Sequence, residues 1–154
     1  VFAASTATDR LADAGVTVDL MVTDLDKNPE TVADRTARGA PVAVHAHGDN
    51  RDLLAEWLPE TDLGHTLATT QAAPADAVKN PGGFTDGDRT AYLADALGAA
   101  ELRFLGWDFD DETLSAEKAR KLRWAERLLA HLESRRGERF DVLDGRRGRI
   151  EPIV

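Results

Sequence analysis

A short apolar run that ends in two spaced aspartates constrains this chain most. Val18, Leu20, Met21 and Val22 form the run in V-D-L-M-V-T-D-L-D-K-N-P, and Asp24, Asp26, Asn28 and Pro29 stop it. A strand buried on both faces of a parallel sheet reads this way. The pattern recurs. Residues 41–47, P-V-A-V-H-A-H, form a second buried run that ends in G-D-N, and residues 102–107 form a third, stopped by D-F-D-D. Residues 65–70, H-T-L-A-T-T, are a weaker strand.

Helical stretches alternate with these runs. Residues 5–15 read as a short helix that Ser5 or Thr6 caps and Gly15 ends. Pro29 occupies a first-turn position of the next helix, Glu30 adds negative charge near its start, and Gly39 closes it. Asp49 or Asn50 caps a helix over 51–58. Another, reached through residues 84–89, carries Tyr92, Leu93, Ala96 and Leu97 on one side. The longest, 115–136, spaces Leu122, Ala125, Leu128, Leu129 and Leu132 helically, and Trp57 and Trp124 read as packing residues of their helices. The tail predicts a hairpin turning at 144–145 or 147–148. Such alternation argues an α/β fold with a mostly parallel sheet, organised as one domain over 1–154. The first residues, V-F-A-A-S, read as a strand end leading into a helix, so an upstream segment is expected.

Composition narrows the function. The chain has 154 residues, 42% of them hydrophobic, which suffices for a compact core. It has no Cys, so disulfides and thiolate metal sites are excluded. No apolar run reaches bilayer length and no leader pattern opens the chain, so a cytoplasmic protein without a membrane partner is expected. A net charge of −9 and the lack of a basic stripe argue against nucleic acid. Lysine occurs only at Lys27, Lys79, Lys118 and Lys121. Acid-rich, Lys-poor composition suits a halophilic, salt-screened cytoplasm.

Four polar loops could carry chemistry. T-D-L-D-K-N presents Asp24 and Asp26, which either cap the turn or, if the strand breaks between them, point into one cleft as a hard-cation site. H-A-H-G-D-N presents His45, His47 and Asp49. Its H-x-H-x-D start resembles metallo-β-lactamase-type hydrolases, but only His65 and His131 remain elsewhere, and His131 reads as a surface residue. His45, between strand residues, reads as a buried histidine. G-G-F-T-D-G-D-R is neither a Walker loop nor a dinucleotide fingerprint. Its glycines still allow close backbone approach to a ligand, and Arg89 offers a planar fork suited to phosphate. Asp86 and Asp88 there read as helix caps or as partners of a cation or basic ligand. G-W-D-F-D-D sets Trp107 and Phe109, suited to stacking on a flat ring, beside Asp108 and Asp110 as acceptors. A core role for Trp107 is the alternative. In a parallel sheet the first, second and fourth loops lie on one edge.

Taken in order, V-T-D-L-D at 22–26, V-H-A-H-G-D-N at 44–50 and G-F-T-D-G-D-R at 83–89 resemble the archaeal type of 6-hydroxymethyl-7,8-dihydropterin pyrophosphokinase. A G-W-D strand end following the third motif fits as well. That family is related in fold to the catalytic domain of thiamine pyrophosphokinase. The resemblance implies a Rossmann-like, three-layer α/β domain. It implies Mg²⁺-dependent transfer of diphosphate from ATP to the pterin hydroxymethyl group, with release of AMP, in folate or methanopterin-type cofactor synthesis.

Asp24, Asp26 and Asp49 are then the expected metal ligands, and Asp24, Asp26 and His47 the catalytic set. Asn50, Gly83, Thr85 and Arg89 are expected near the ATP phosphates, and Asp86, Asp88, Trp107 and Asp108 near the pterin. Alternatives are a thiamine or other diphosphokinase, a metal-dependent hydrolase, and a non-catalytic nucleotide-binding module. The sequence leaves room for a homo-oligomer.

Overall fold

The computed structural model describes residues 1–153. The chain divides into two compact units, Val1–Gly82 and Gly83–Val154.

The first unit is a four-stranded, all-parallel sheet in the order β1-β2-β3-β4. Its strands are β1 (Phe2–Ala4), β2 (Leu20–Thr23), β3 (Val42–Ala46) and β4 (Thr66–Thr70), and the helices α1 (Ala7–Asp13), α2 (Pro29–Ala37) and α3 (Arg51–Trp57) fall between them. All four residues of β2 are buried, as are the first four of β3. This is the near-continuous apolar reading of a strand covered on both faces. The register Met21↔Val42, Val22↔Ala43, Thr23↔Val44 puts Met21, Val42 and Val44 on one face, where they pack with Leu25, Val32, Leu53, Leu54 and Trp57. Val22, Ala43 and His45 fall on the opposite face and are also buried. Pro29 stands in the first turn of α2, where its missing N–H costs nothing. Asp9 of α1 accepts from Asn28 Nδ2 at 2.7 Å and from Thr31 Oγ1 at 3.0 Å, which ties α1 to the start of α2.

The second unit is built on α4 (Asp86–Ala96) and α5 (Ala116–Arg136). Leu129 and Leu132 of α5 pack with Ala91, Tyr92, Phe140 and Leu143. Tyr92 donates its hydroxyl to the carbonyl of Leu128 at 3.0 Å. Ser115 caps α5 through the Lys118 N–H, and Gly137 ends it in the left-handed conformation.

Three expectations are corrected here. Residues 102–107 form no strand among the described residues. Leu102, Phe104 and Trp107 do pack on the α4–α5 cluster, and Arg103 and Leu105 face solvent, Leu105 at 92% exposure. The period of two therefore holds over 102–105 and slips at Gly106, and no neighbouring strand supplies a ladder. The tail forms two 3₁₀ turns, Asp141–Leu143 and Arg147–Arg149, where a hairpin was expected. Arg147 ties that tail to the Glu133 carboxylate with two hydrogen bonds, at 2.7 and 2.6 Å, and donates to the carbonyl of Phe140 at 2.8 Å. Trp124, expected to pack, is 47% exposed. Trp57 packs as expected, and His131 lies on the surface. No helix of the described residues is long and apolar enough to cross a membrane.

Candidate functional site

Because the sheet is parallel, the loops after β1 to β4 leave it at one edge, the edge where open α/β sheets bind ligands. The loop after β2 begins with a conformational break. Leu25 has φ of 72°, in the left-handed region that non-glycine residues rarely adopt. Its side chain is fully buried with Met21, Val32, Val42 and Val44, which holds the strained backbone in place. The Leu25 N–H is taken by Thr23 Oγ1 at 3.1 Å. With the strand broken at Leu25, Asp24 and Asp26 are brought together: the Asp26 N–H donates to Asp24 Oδ1 at 3.1 Å.

The charges of this pair are coupled. Burial, together with the neighbouring Asp26, pushes the Asp24 carboxyl above its ordinary value. Burial also pushes Asp26 upward, but the Lys27 ammonium at 2.9 Å outweighs it, leaving Asp26 below its ordinary value. As pH falls, Asp24 therefore takes up a proton before Asp26 does.

The loop after β3 completes the arrangement. His47 Nε2 lies 3.3 Å from Asp24 Oδ2, and both side chains are about a quarter exposed. Asn50 is 3% exposed and clamps the two strand ends together. Its Nδ2 donates to the carbonyls of Asp24 at 2.9 Å and His45 at 2.7 Å, and its Oδ1 accepts from the His47 N–H at 3.1 Å. Both amide hydrogens of Asn50 are thereby committed to backbone. Asp49 is exposed on the same loop. His45 is buried within β3, with Nδ1 3.2 Å from Thr69 Oγ1. At the end of β4, Gln71 donates to the carbonyl of His47 at 3.1 Å.

Among the described residues, no three His, Asp or Glu side chains gather into a cage for a metal ion. The donor set still fits one kind of ion. Two adjoining carboxylates at a strand end suit a hard cation that keeps most of its other positions for phosphate and water, as Mg²⁺ does.

The second unit holds the remaining residues singled out by sequence. Gly83 has φ of 90°, and a Cβ there would lie 2.4 Å from Arg89 Cα, so only glycine fits. Arg89 is fully buried and donates Nη2 to the Gly83 carbonyl at 2.8 Å. Thr85 and Asp88 form a capping box at the start of α4. Asp88, also fully buried, accepts from the Phe84 N–H at 2.6 Å, the Thr85 N–H at 2.9 Å and the Thr85 hydroxyl. Burial pushes its carboxyl up against these donors, which pull the other way. Asp86 opens α4, half-buried.

Trp107 lies against Gly87, where a Cβ would come within 2.7 Å of its ring, and its centroid is 5.3 Å from that of Phe109. Trp107, Asp108, Phe109 and Arg146 line a cavity of about 340 Å³. Arg146 lies over the Phe109 ring and is ion-paired with Asp110.

Two polar residues were not singled out from sequence, Gln71, which reaches the site rim, and Thr8, while Ser5 was expected only as a cap; the buried hydroxyls of Ser5 and Thr8 have no hydrogen-bond partner among the described residues. Small hydroxyl residues near a helix start read as ordinary caps, and no local pattern separates a cap from a ligand group.

Comparison with known proteins gives the family. Residues 1–113 match the family described as MptE-like, 6-hydroxymethylpterin diphosphokinase. A protein of Methanothermobacter thermautotrophicus named 6-hydroxymethyl-7,8-dihydropterin pyrophosphokinase is 40% identical over 147 residues, covering 86% of this chain and 62% of its own length. A protein of the same name from Pyrococcus furiosus is 41% identical over 145 residues, covering 86% and 61%. Another from Methanocaldococcus jannaschii is 28% identical over 154 residues, covering 88% and 63%. The chain thus spans 61–63% of the length of these curated relatives. With the match running through both strand-end loops and the segment that opens α4, the chain belongs to the MptE-like 6-hydroxymethylpterin diphosphokinase family.

Proposed function

We propose that this protein transfers the β,γ-diphosphate of ATP to the hydroxymethyl group of 6-hydroxymethyl-7,8-dihydropterin in the presence of Mg²⁺. The observation that carries the proposal is the Asp24–Asp26 pair beside His47 at the carboxyl ends of β2 and β3. The names of the relatives supply the acceptor. The pterin oxygen forms a bond to the β-phosphorus, the bond from that phosphorus to the α,β-bridging oxygen breaks, and AMP leaves. Asp24 and Asp26, with Asp49 from the exposed loop, would hold Mg²⁺, which would supply charge neutralisation at the phosphates. His47, held beside Asp24, is the residue placed to take the proton of the attacking alcohol.

Asn50 acts as a positioning residue, holding Asp24 and His47 through their backbones. Gly83, Thr85 and Arg89 are placed near the ATP phosphates in this reading, with Asp88 holding the Phe84 and Thr85 amides and so shaping the start of α4. Trp107 provides a flat surface for the pterin, and Asp108 and Asp86 provide acceptors for its amino and imino hydrogens. The protein acts in the cytoplasm, as a single domain over 1–154, within folate or methanopterin-type cofactor synthesis.

The hydrolase alternative needs His45, His47 and Asp49 around one metal. His45 instead faces Thr69 inside the sheet. A coupled assay of AMP release with the pterin, with thiamine and without acceptor tests the proposal. AMP formed with the pterin alone supports it. AMP formed only with thiamine, or with neither acceptor, contradicts it.

A further inference from the structure

The charge of this chain is unevenly placed. Residues 1–115 carry eight Lys or Arg against twenty-one Asp or Glu, while residues 116–154 carry eleven against seven. An acid-rich protein has gathered its arginines at one end.

Several of those arginines line a cavity of the second unit, about 400 Å³ in volume. Its walls include Arg120, Arg123, Trp124 and Arg127 from α5 and Arg149 from the last 3₁₀ turn. Positions 120, 123, 124 and 127 fall on one stripe of the helix. Like charges so placed repel each other, and the nearby acids offset them weakly. Glu126 is committed to Arg146 at 2.5 Å. Glu151 is 83% exposed and reaches Arg127 only at 3.7 Å, and Arg149 meets Asp110 at 3.5 Å with both side chains more than half exposed. Arg120 and Arg123 make no ion pair among the described residues.

Arg127 has a different task. Its guanidinium donates to the carbonyls of Glu151 at 3.0 Å and Pro152 at 3.2 Å while lying 4.4 Å from the centre of the Trp124 ring. It thereby fixes both the tail and the half-exposed indole. The result is a preformed cavity of small-molecule size, with a held aromatic ring and three further guanidinium groups at its rim. Arginine forks match phosphate oxygens in a planar, two-point geometry.

We propose that this cavity is an anion site for a phosphate-bearing small molecule with a flat ring, of the nucleoside di- or triphosphate class. Arg120, Arg123 and Arg149 take the phosphates, and Trp124 takes the ring. All of these residues lie beyond residues 1–113, the part matched by the family. The site is independent of the reading of Asp24 and Asp26, because it needs no metal ion.

That difference provides the test. Binding of ATP and of inorganic tripolyphosphate is measured by calorimetry at fixed ionic strength in excess EDTA, where the β2–β3 carboxylates repel phosphate. The wild-type chain is compared with Arg120→Ala/Arg123→Ala and with Trp124→Ala. The expected result is saturable one-to-one binding of both probes. The double variant should bind each at least tenfold more weakly, and Trp124→Ala should weaken ATP more than tripolyphosphate. The substituted side chains are exposed, and equal melting temperatures check that the fold is intact. No saturable binding in EDTA, or unchanged affinity in the double variant, overturns the proposal. Equal loss of both probes in Trp124→Ala overturns the role of the ring.

Discussion

The side-chain amide of Asn50 donates to the carbonyl of Asp24 at 2.9 Å, across twenty-six residues of sequence, and so joins the loop after β3 to the loop after β2. Replacement by Ala leaves the carbonyls of Asp24 and His45 and the N–H of His47 without that partner. Buried polar groups stranded in this way cost about 1–3 kcal/mol each when water cannot replace the partner. Asn50→Ala should lower stability in chemical denaturation and cut turnover together, and Asn50→Asp should be no better because it sets a carboxylate against two carbonyls. A variant with wild-type stability and rate would show that the clamp does not position the site.

Leu25 separates conformation from burial. Its side chain is fully buried while its backbone is left-handed. Leu25→Met keeps the volume and the unbranched Cβ, and should cost less than about 1.5 kcal/mol. Leu25→Val adds a β-branch where positive φ tolerates it least, and should cost more than Met does. Leu25→Gly relieves about 1–2 kcal/mol of strain but forfeits a large buried side chain, worth about 2–5 kcal/mol, and should also destabilise. Denaturation midpoints rank the three. Val at least as stable as Met would remove the conformational argument.

Gly83 faces the backbone of Arg89. An added Cβ would lie 2.4 Å from Arg89 Cα and 2.7 Å from its nitrogen, with φ already at 90°. Gly83→Ala should therefore displace the loop that delivers the Phe84 N–H to Asp88. The strain alone is about 1–3 kcal/mol. A melting temperature matching wild type would show that the loop has slack.

Acid should loosen the tail of the second unit. The Arg147 guanidinium holds the Glu133 carboxyl below its ordinary 4.5, helped by the Phe140 N–H and opposed by burial. A depressed carboxyl stabilises the fold fully above its unfolded pKa, and that contribution fades as pH falls through the folded value. Glu133→Gln should lower the melting temperature at pH 7, and the gap from wild type should shrink as pH falls from 4.5 toward 3. A gap that widened on acidification would reverse the assignment.

Much of this arrangement was legible in the sequence because it is local. The apolar runs at 18–22 and 42–46 give buried parallel strands, and the polar stops that follow them give the site edge. The spacing of Asp24 and Asp26 permitted a shared cleft once the strand broke, and Leu25 makes that break. What stayed hidden depends on distant partners. Residues 102–107 have strand periodicity, but whether a neighbour pairs with them is not a local property. Asn50 reads as a cap because its bond to Asp24 closes only in three dimensions. Trp124 sits at a helical position suited to packing, yet the Arg127 guanidinium takes its face.

The central claim is that Asp24 and Asp26 together hold the metal that serves ATP. AMP release is measured for Asp24→Asn and Asp26→Asn with saturating ATP, Mg²⁺ and 6-hydroxymethyl-7,8-dihydropterin, alongside their melting curves. The expected result is a rate about 100- to 1000-fold below wild type in each variant, with the fold retained. A folded variant that turns over at the wild-type rate would contradict the claim for that carboxylate, and two such variants would remove the metal site from this edge of the sheet.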